Sequence, residues 1–149
     1  MTFRASGVIA QDAYANLRRQ VANSRFYLTN QKAVLQQPTS DAVVALAVIQ
    51  HFSQVIPLMQ GWAATPGIVQ YAKDQVNDQA YDVVAEFNAM MTAMQNTLAS
   101  LIAMFPKDGG GFLLYQKLNA NGSFTNRTFT AAQLAPVVTL IDAVIATIS

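Results

Sequence analysis

The spacing of apolar residues divides the chain into four helical segments and one hairpin. From Val8 to Gln36, Ala10, Tyr14, Leu17, Val21, Leu28 and Leu35 recur at helical intervals, with Ser24 and Gln31 in the remaining positions of the stripe. Steps of three, four and seven residues keep these side chains on one face, which predicts an amphipathic helix. Pro38 ends it, because the residue before a proline avoids the helical region. A second helix is predicted to begin after Thr39 or Ser40 and to run to about Ala64. Either hydroxyl can accept the orphan N–H groups of a first turn, and Asp41 places a favourable charge at the positive end of the helix dipole. Pro57 lies inside this segment and should kink it near Ser53, whose carbonyl loses its partner.

Thr65-Pro66 is a start signal, threonine at the cap and proline at the first helical position. The helix it opens is predicted to be the longest, from Pro66 to Phe105, closed by Pro106. Its apolar stripe runs Val69, Ala72, Val76, Ala80, Val83, Phe87, Met90, Met94, Leu98, Leu101, Phe105, a mean step of 3.6 residues. A straight helix over that span is a rod of about 60 Å. Lys107 to Gly111 then reads as a loop, Phe112–Leu118 and Phe124–Thr130 as two strands, and Asn121-Gly122 between them as a hairpin turn. Thr130-Ala131-Ala132-Gln133 is a capping box opening a last helix. Pro136 disturbs its second turn, and Val137, Leu140, Ile141, Val144 and Ile148 form its apolar face. The expected architecture is mainly α: an elongated helical bundle with one long helix and a C-terminal β-hairpin followed by a short helix. Residues 1–106 form the bundle in this reading, and 107–149 pack on it.

Composition narrows the role. Hydrophobic residues make up 52% of the 149, and charged residues only 11%, against about 25% charged in an ordinary soluble domain. Polarity comes instead from 14 Gln, 9 Asn, 11 Thr and 7 Ser, beside 24 Ala. Amides and hydroxyls cost far less to desolvate than ions, so this surface suits a subunit covered by neighbours in an assembly. The net charge of +1 argues against nucleic-acid binding, which needs a basic excess. Absence of cysteine excludes disulfides, thiolate zinc sites and thiol catalysis. Met1 to Ala10 lacks the apolar core of a secretory signal. Ala42–Ile49 is interrupted by Gln50 and His51, and Ala131–Ile148 contains Pro136 and Asp142, so both are expected to be core helices and not membrane spans.

Candidate chemistry is sparse. His51 stands alone with no orienting partner in view, so it is expected to be a packing residue. Gly109 to Gly111 is not followed by the Lys-Ser/Thr of a phosphate loop. Asp74, Asp78, Asp82 and Glu86 are four residues apart, which puts them on one stripe of a straight third helix. No histidine follows at the spacing of a carboxylate metal cluster. Like charges at that interval repel, so compensation is expected from the basic first segment. Residues 1–32 carry five bases against Asp12, and Arg18, Arg19, Arg25 and Lys32 are the candidate partners. No catalytic, cofactor or metal residues are assigned. Adaptable or aromatic contacts to a partner are expected at Trp62, Met91, Met104, Phe112, Leu114, Tyr115, Phe124 and Phe129.

Phe105-Pro106-Lys107-Asp108-Gly109, Phe112-Leu113-Leu114-Tyr115, the Asn119-Ala120-Asn121-Gly122 turn and Phe129-Thr130-Ala131-Ala132-Gln133-Leu134 before a short apolar helix resemble the C-terminal ends of small structural proteins of tailed bacteriophage particles. That resemblance implies a virion component of the tail, baseplate or neck, made in the host cytoplasm, with no catalytic residues. Its partners would be copies of itself and other structural proteins, without nucleic acid, membrane, cofactor or small-molecule substrate. The alternative expectation is a cytoplasmic helical adaptor that binds a partner helix in a groove.

Overall fold

Four helices enclose the core: α1 (Ser6–Leu35), α2 (Ala42–Ala63), α4 (Val83–Ala103) and α5 (Ala131–Ala146), with a short α3 (Ile68–Val76) between α2 and α4. The computed structural model describes residues 6–148. Arg4, one of the five bases of the first segment, and most of the Met1–Ala10 stretch read for a leader lie outside or at the edge of those residues. Helices α1 and α4 each pack against both α2 and α5, so the order around the bundle is α1, α2, α4, α5. Arg18 meets Glu86 near the start of α4, while β1, which follows α1, lies by Phe129, whose ring contacts Phe105 after α4. Helices α1 and α4 therefore run the same way, and α2 returns between them. Leu17, Leu28, Phe52, Met59, Phe87, Met94, Leu101, Leu134 and Ile141 are fully buried at the centre. The C-terminal α5 packs on α4 and α1 and is the fourth helix around the core.

The apolar stripes of α1 and α5 fall inward as their periodicity predicts. Helix α2 starts later than expected, because Thr39 and Ser40 do not cap it but lie in a strand, β1 (Thr39–Asp41). The Asp41 carboxylate takes the cap, accepting from the Val43 N–H at 2.8 Å. The helix then runs through Pro57 to Ala63. It is long and apolar enough to cross a membrane, yet Val48, Phe52, Val55 and Met59 are buried in the bundle, and Gln50, Gln54 and Gln60 face out.

The 40-residue third helix does not exist as one rod; α3 and α4 are separated by residues 77–82. The long helix is α1, with 30 residues, about 45 Å. The start also differs: Gly67, at φ 82°, precedes α3, and Thr65-Pro66 lies in the turn before it. Neither proline nor glycine occurs from Ile68 to Ala103, so the break comes from other forces. Asn77 adopts the left-handed conformation at φ 54°, and the Asp78 N–H returns to the Lys73 carbonyl at 3.0 Å. The Asp78 side chain accepts from Ala80 N–H at 2.9 Å, and Asp82 caps α4 through Ala85 N–H at 3.1 Å. Two carboxylates that would repel on a straight stripe are thereby spent on free amides. Folding back also buries Ile68 and Ala72 and sets Tyr71 edge-on to Tyr14, ring centroids 5.7 Å apart.

The expected hairpin strands are shorter and divided. Strand β2 (Gln116–Leu118) pairs antiparallel with β3 (Phe124–Asn126), with Leu118 opposite Phe124. Strand β4 (Thr128–Thr130) leaves that ladder and pairs with β1, Ser40 opposite Phe129. Arg127 is the pivot: its N–H bonds the Tyr115 carbonyl and its carbonyl accepts from Ala42 N–H, both at 2.8 Å. The capping box of α5 forms as read, Thr130 and Gln133 bonding reciprocally at 2.9 and 3.1 Å.

Candidate interaction site

The hairpin carries the most exposed apolar side chains of its region. Phe112 is 74% exposed, Leu118 66% and Phe124 64%, with Leu114 and Tyr115 beside them. The loop before β2 is shaped by Asp108, whose carboxylate accepts from Gly110 and Phe112 N–H at 2.8 and 3.0 Å. That leaves the Phe112 ring outside. Gly122, at φ 84°, closes the turn, and the Asn119 side chain holds Thr125 at 2.9 Å. Leu118 and Phe124 are cross-strand neighbours and share one face of the ladder. A shallow cleft of about 150 Å³ runs under Leu113, Leu114, Tyr115, Gln116 and Phe124. Since β2 and β3 form a sheet of two strands, each has an edge open to a third.

The expected partner residues separate into two groups. Phe112, Leu114, Tyr115 and Phe124 lie together on the surface. Met91 and Phe129 do not: both are buried, and the Phe129 ring packs edge-on to Phe105 with centroids 5.3 Å apart. Trp62 and Met104 are half-buried against the core. Leu118 was missed by the sequence reading, although the register set by the Asn-Gly turn places it opposite Phe124. Phe26, 73% exposed on α1, was also missed, and only its place off the apolar stripe marks it.

Charge pairing is narrower than the sequence suggests. Arg18 reaches Glu86 at 3.7 Å. Its guanidinium also donates to the Tyr14 hydroxyl at 2.9 and 3.0 Å and to the Tyr81 hydroxyl at 3.1 Å. It lies 5.1 Å from the Tyr14 ring centroid and 5.5 Å from that of Phe87. Burial pulls the Arg18 pKa down, but the hydrogen bond to Tyr14 and the charges of Tyr81, Tyr14 and Glu86 outweigh it and leave it above its ordinary value. Tyr81 donates to Glu86, and burial together with that bond raises its pKa. Arg19 bonds Asn16, and Arg25 bonds the Ile145 carbonyl. Lys32 pairs with Asp142 at 2.6 Å. Asp74 takes amide donors from Gln70 and Gln79, so the four acids do not form one stripe facing α1.

His51 has the surroundings of a packing residue. Its Nε2 lies 3.1 Å from the hydroxyl of Ser24, which is fully buried and also accepts from Gln20. The imidazole stacks on Tyr27 at 4.3 Å and meets Phe52 edge-on. Burial lowers its pKa. A second cleft, about 380 Å³, is lined by Gln36, Ala131, Ala135, Val138 and Thr139, none of which ionises. Among the described residues, no group of three or more His, Asp or Glu is placed to hold a metal ion. No protein family, curated protein or solved structure matches the chain.

Proposed function

We propose that this chain is a non-enzymatic structural subunit that joins neighbouring subunits through its hairpin, as a component of a tailed-phage virion in the tail, baseplate or neck. One observation carries the reading: Leu118 and Phe124 stand exposed opposite one another on a two-stranded ladder with open edges, and Phe112 stands exposed in the loop before it. Exposed large apolar side chains of this kind mark an interaction surface, and an open edge can take a further strand from a partner. A two-stranded hairpin is marginal alone in water. Here Asn126 donates to Asp41 at 3.0 Å and β4 is bound to β1, which ties the hairpin to the bundle. The charge-poor surface agrees with burial in an assembly.

Light scattering after size exclusion, over a concentration series, tests this. The wild-type chain should form a defined oligomer or polymerise as concentration rises, and Phe112→Ser with Phe124→Ser should suppress it while circular dichroism stays unchanged. Association that is indifferent to both substitutions would refute the hairpin as the joint. Capture of an amphipathic helix by a chain that stays monomeric would favour the adaptor.

A further inference from the structure

We infer that the bundle exchanges halves with a second copy of the chain. In the exchanged dimer the segment 77–82 straightens, α3 and α4 fuse into one rod, and α1–β1–α2 of each copy packs on β4, α4 and α5 of the other. This joint is separate from the hairpin surface described above. The two halves are already laid out for it. Helices α1 and α2 pack on each other before α3, and α4 and α5 do so after it. The halves meet through α2 on α4, α1 on α5 and β1 on β4. A second copy presents the same surfaces, so exchange restores each of these contacts between chains, which makes it a low-cost route to a dimer.

The hinge carries a conflict that exchange relieves. Val69, Ala72, Val76 and Ala80 hold the helical phase of Val83 and Phe87 across the break, with no proline or glycine from Ile68 to Ala103. Yet Val69 and Val76 are left 37% and 42% exposed, and Asn77 is held at φ 54°, where a side chain is strained. A rod restores the helical hydrogen bonds of 77–82 and continues the apolar row of α4. One copy cannot form it alone. Tyr27 of α1 stacks on His51 of α2, and Arg18 reaches Glu86. Since α2 runs opposite to α1, stepping from the Tyr27–His51 level to Arg18 brings α2 to Gln60, and Ala63 therefore ends level with Val83. A rod sets Ile68 about 22 Å beyond Val83, whereas the chain from Ala63 to Ile68 reaches about 17 Å when fully extended. The rod thus pulls α2 off its own α4, and the surface shown to fit it is the same face of another copy. Ile68 and Ala72, buried in the closed form, give up their packing on α1 in return, so the closed form holds at low concentration and mass action draws out the exchange.

The chain has no cysteine, so an introduced pair reports which chains are joined. Thr39 and Thr130 stand opposite each other in the β1–β4 ladder, one in each half, close enough for Thr39→Cys with Thr130→Cys to form a disulfide. The full chain is unfolded in urea and refolded at high concentration, and the dimer is isolated by size exclusion and then oxidised; thermal melts check that each variant folds. The dimer should persist on dilution, and its two chains should stay covalently joined on a denaturing, non-reducing gel. Two hinge variants are compared in the cysteine-free chain. Asn77→Val should strengthen dimer formation roughly tenfold, because the closed turn penalises it. Gln79→Pro should weaken it by a similar factor. Gln79 is the second residue of the turn that the Tyr81 N–H closes on the Asp78 carbonyl, a place that suits proline, and a proline there breaks the rod. Phe112→Ser with Phe124→Ser should leave this dimer in place. Dimers whose disulfide stays within one chain refute the exchange, and the hairpin joint stands if Phe112→Ser with Phe124→Ser disperses them. Refolding that yields monomer alone refutes the exchange too, as does a dimer indifferent to both hinge variants.

Discussion

Replacing Arg18 by methionine tests whether the charged cluster holds the folded-back α3–α4 corner in place. Methionine keeps most of the aliphatic stem and removes the guanidinium. The ion pair with Glu86 spans 3.7 Å between side chains that are 34% and 25% exposed, so it is worth about 0.5 kcal/mol. Hydrogen bonds to the two phenols at 2.9–3.1 Å contribute about 1 kcal/mol each. Ring contacts at 5.1 and 5.5 Å add about 0.5 kcal/mol. These contacts share one guanidinium and do not add fully, which gives a loss of about 2 kcal/mol. Urea unfolding followed by circular dichroism measures it, and the melting temperature should fall by about 4–8 °C for a chain of this size. Glu86→Gln and the double variant complete a cycle, in which the second substitution should cost less once Arg18 is gone. A loss below about 0.5 kcal/mol, or strict additivity, would mean that the corner is held by packing of Ile68 and Ala72 alone.

Stability should decline as pH drops below about 6.5: burial holds the folded His51 pKa under its ordinary value, so the unfolded chain binds more protons there. His51→Gln should flatten that slope in urea titrations, and an unchanged slope would place its origin elsewhere. At the break, Asn77→Gly should stabilise the chain by about 0.5–1 kcal/mol and Asn77→Val should destabilise it by more than about 1 kcal/mol, because φ 54° suits glycine and penalises a β-branched side chain. Thermal melts decide this; a valine variant of higher stability and higher helicity would show that the segment straightens into one rod.

Local signals were read well and long-range ones were not. The stripe of α1, with Ser24 buried in an apolar row, the capping box at Thr130 and the Asn-Gly turn all depend on neighbours within a few residues, and all appear where the pattern put them. The interruption at 77–82 was invisible because the apolar phase from Val69 to Phe105 continues through it without proline or glycine. What broke the rod was the competition between a repulsive carboxylate stripe and the gain from caps and from packing α3 on α1, and the second part of that sum is tertiary. Thr39 and Ser40 were read as caps because their hydroxyls suit a cap as well as a strand, and the partner of β1 lies in a distant segment. Within the candidate site, exposure of Phe112 and Phe124 followed from the hairpin. Burial of Phe129 and Met91 did not, since a strand aromatic or a helical methionine looks the same whichever way it faces.

The clasp of Thr39–Asp41 against Thr128–Thr130 sets a timetable for synthesis. Its two strands are about 90 positions apart, so at about 5–20 residues per second the first waits roughly 5 to 20 s for the second to be made. During that interval α1, α2 and α4 can gather, but the groove that Leu134, Val137 and Ile141 later fill stays open to water. The nascent chain thus keeps that apolar groove uncovered until α5 is made, and a ribosome that pauses before Ala131 prolongs the time in which the groove can meet another chain instead of its own last helix.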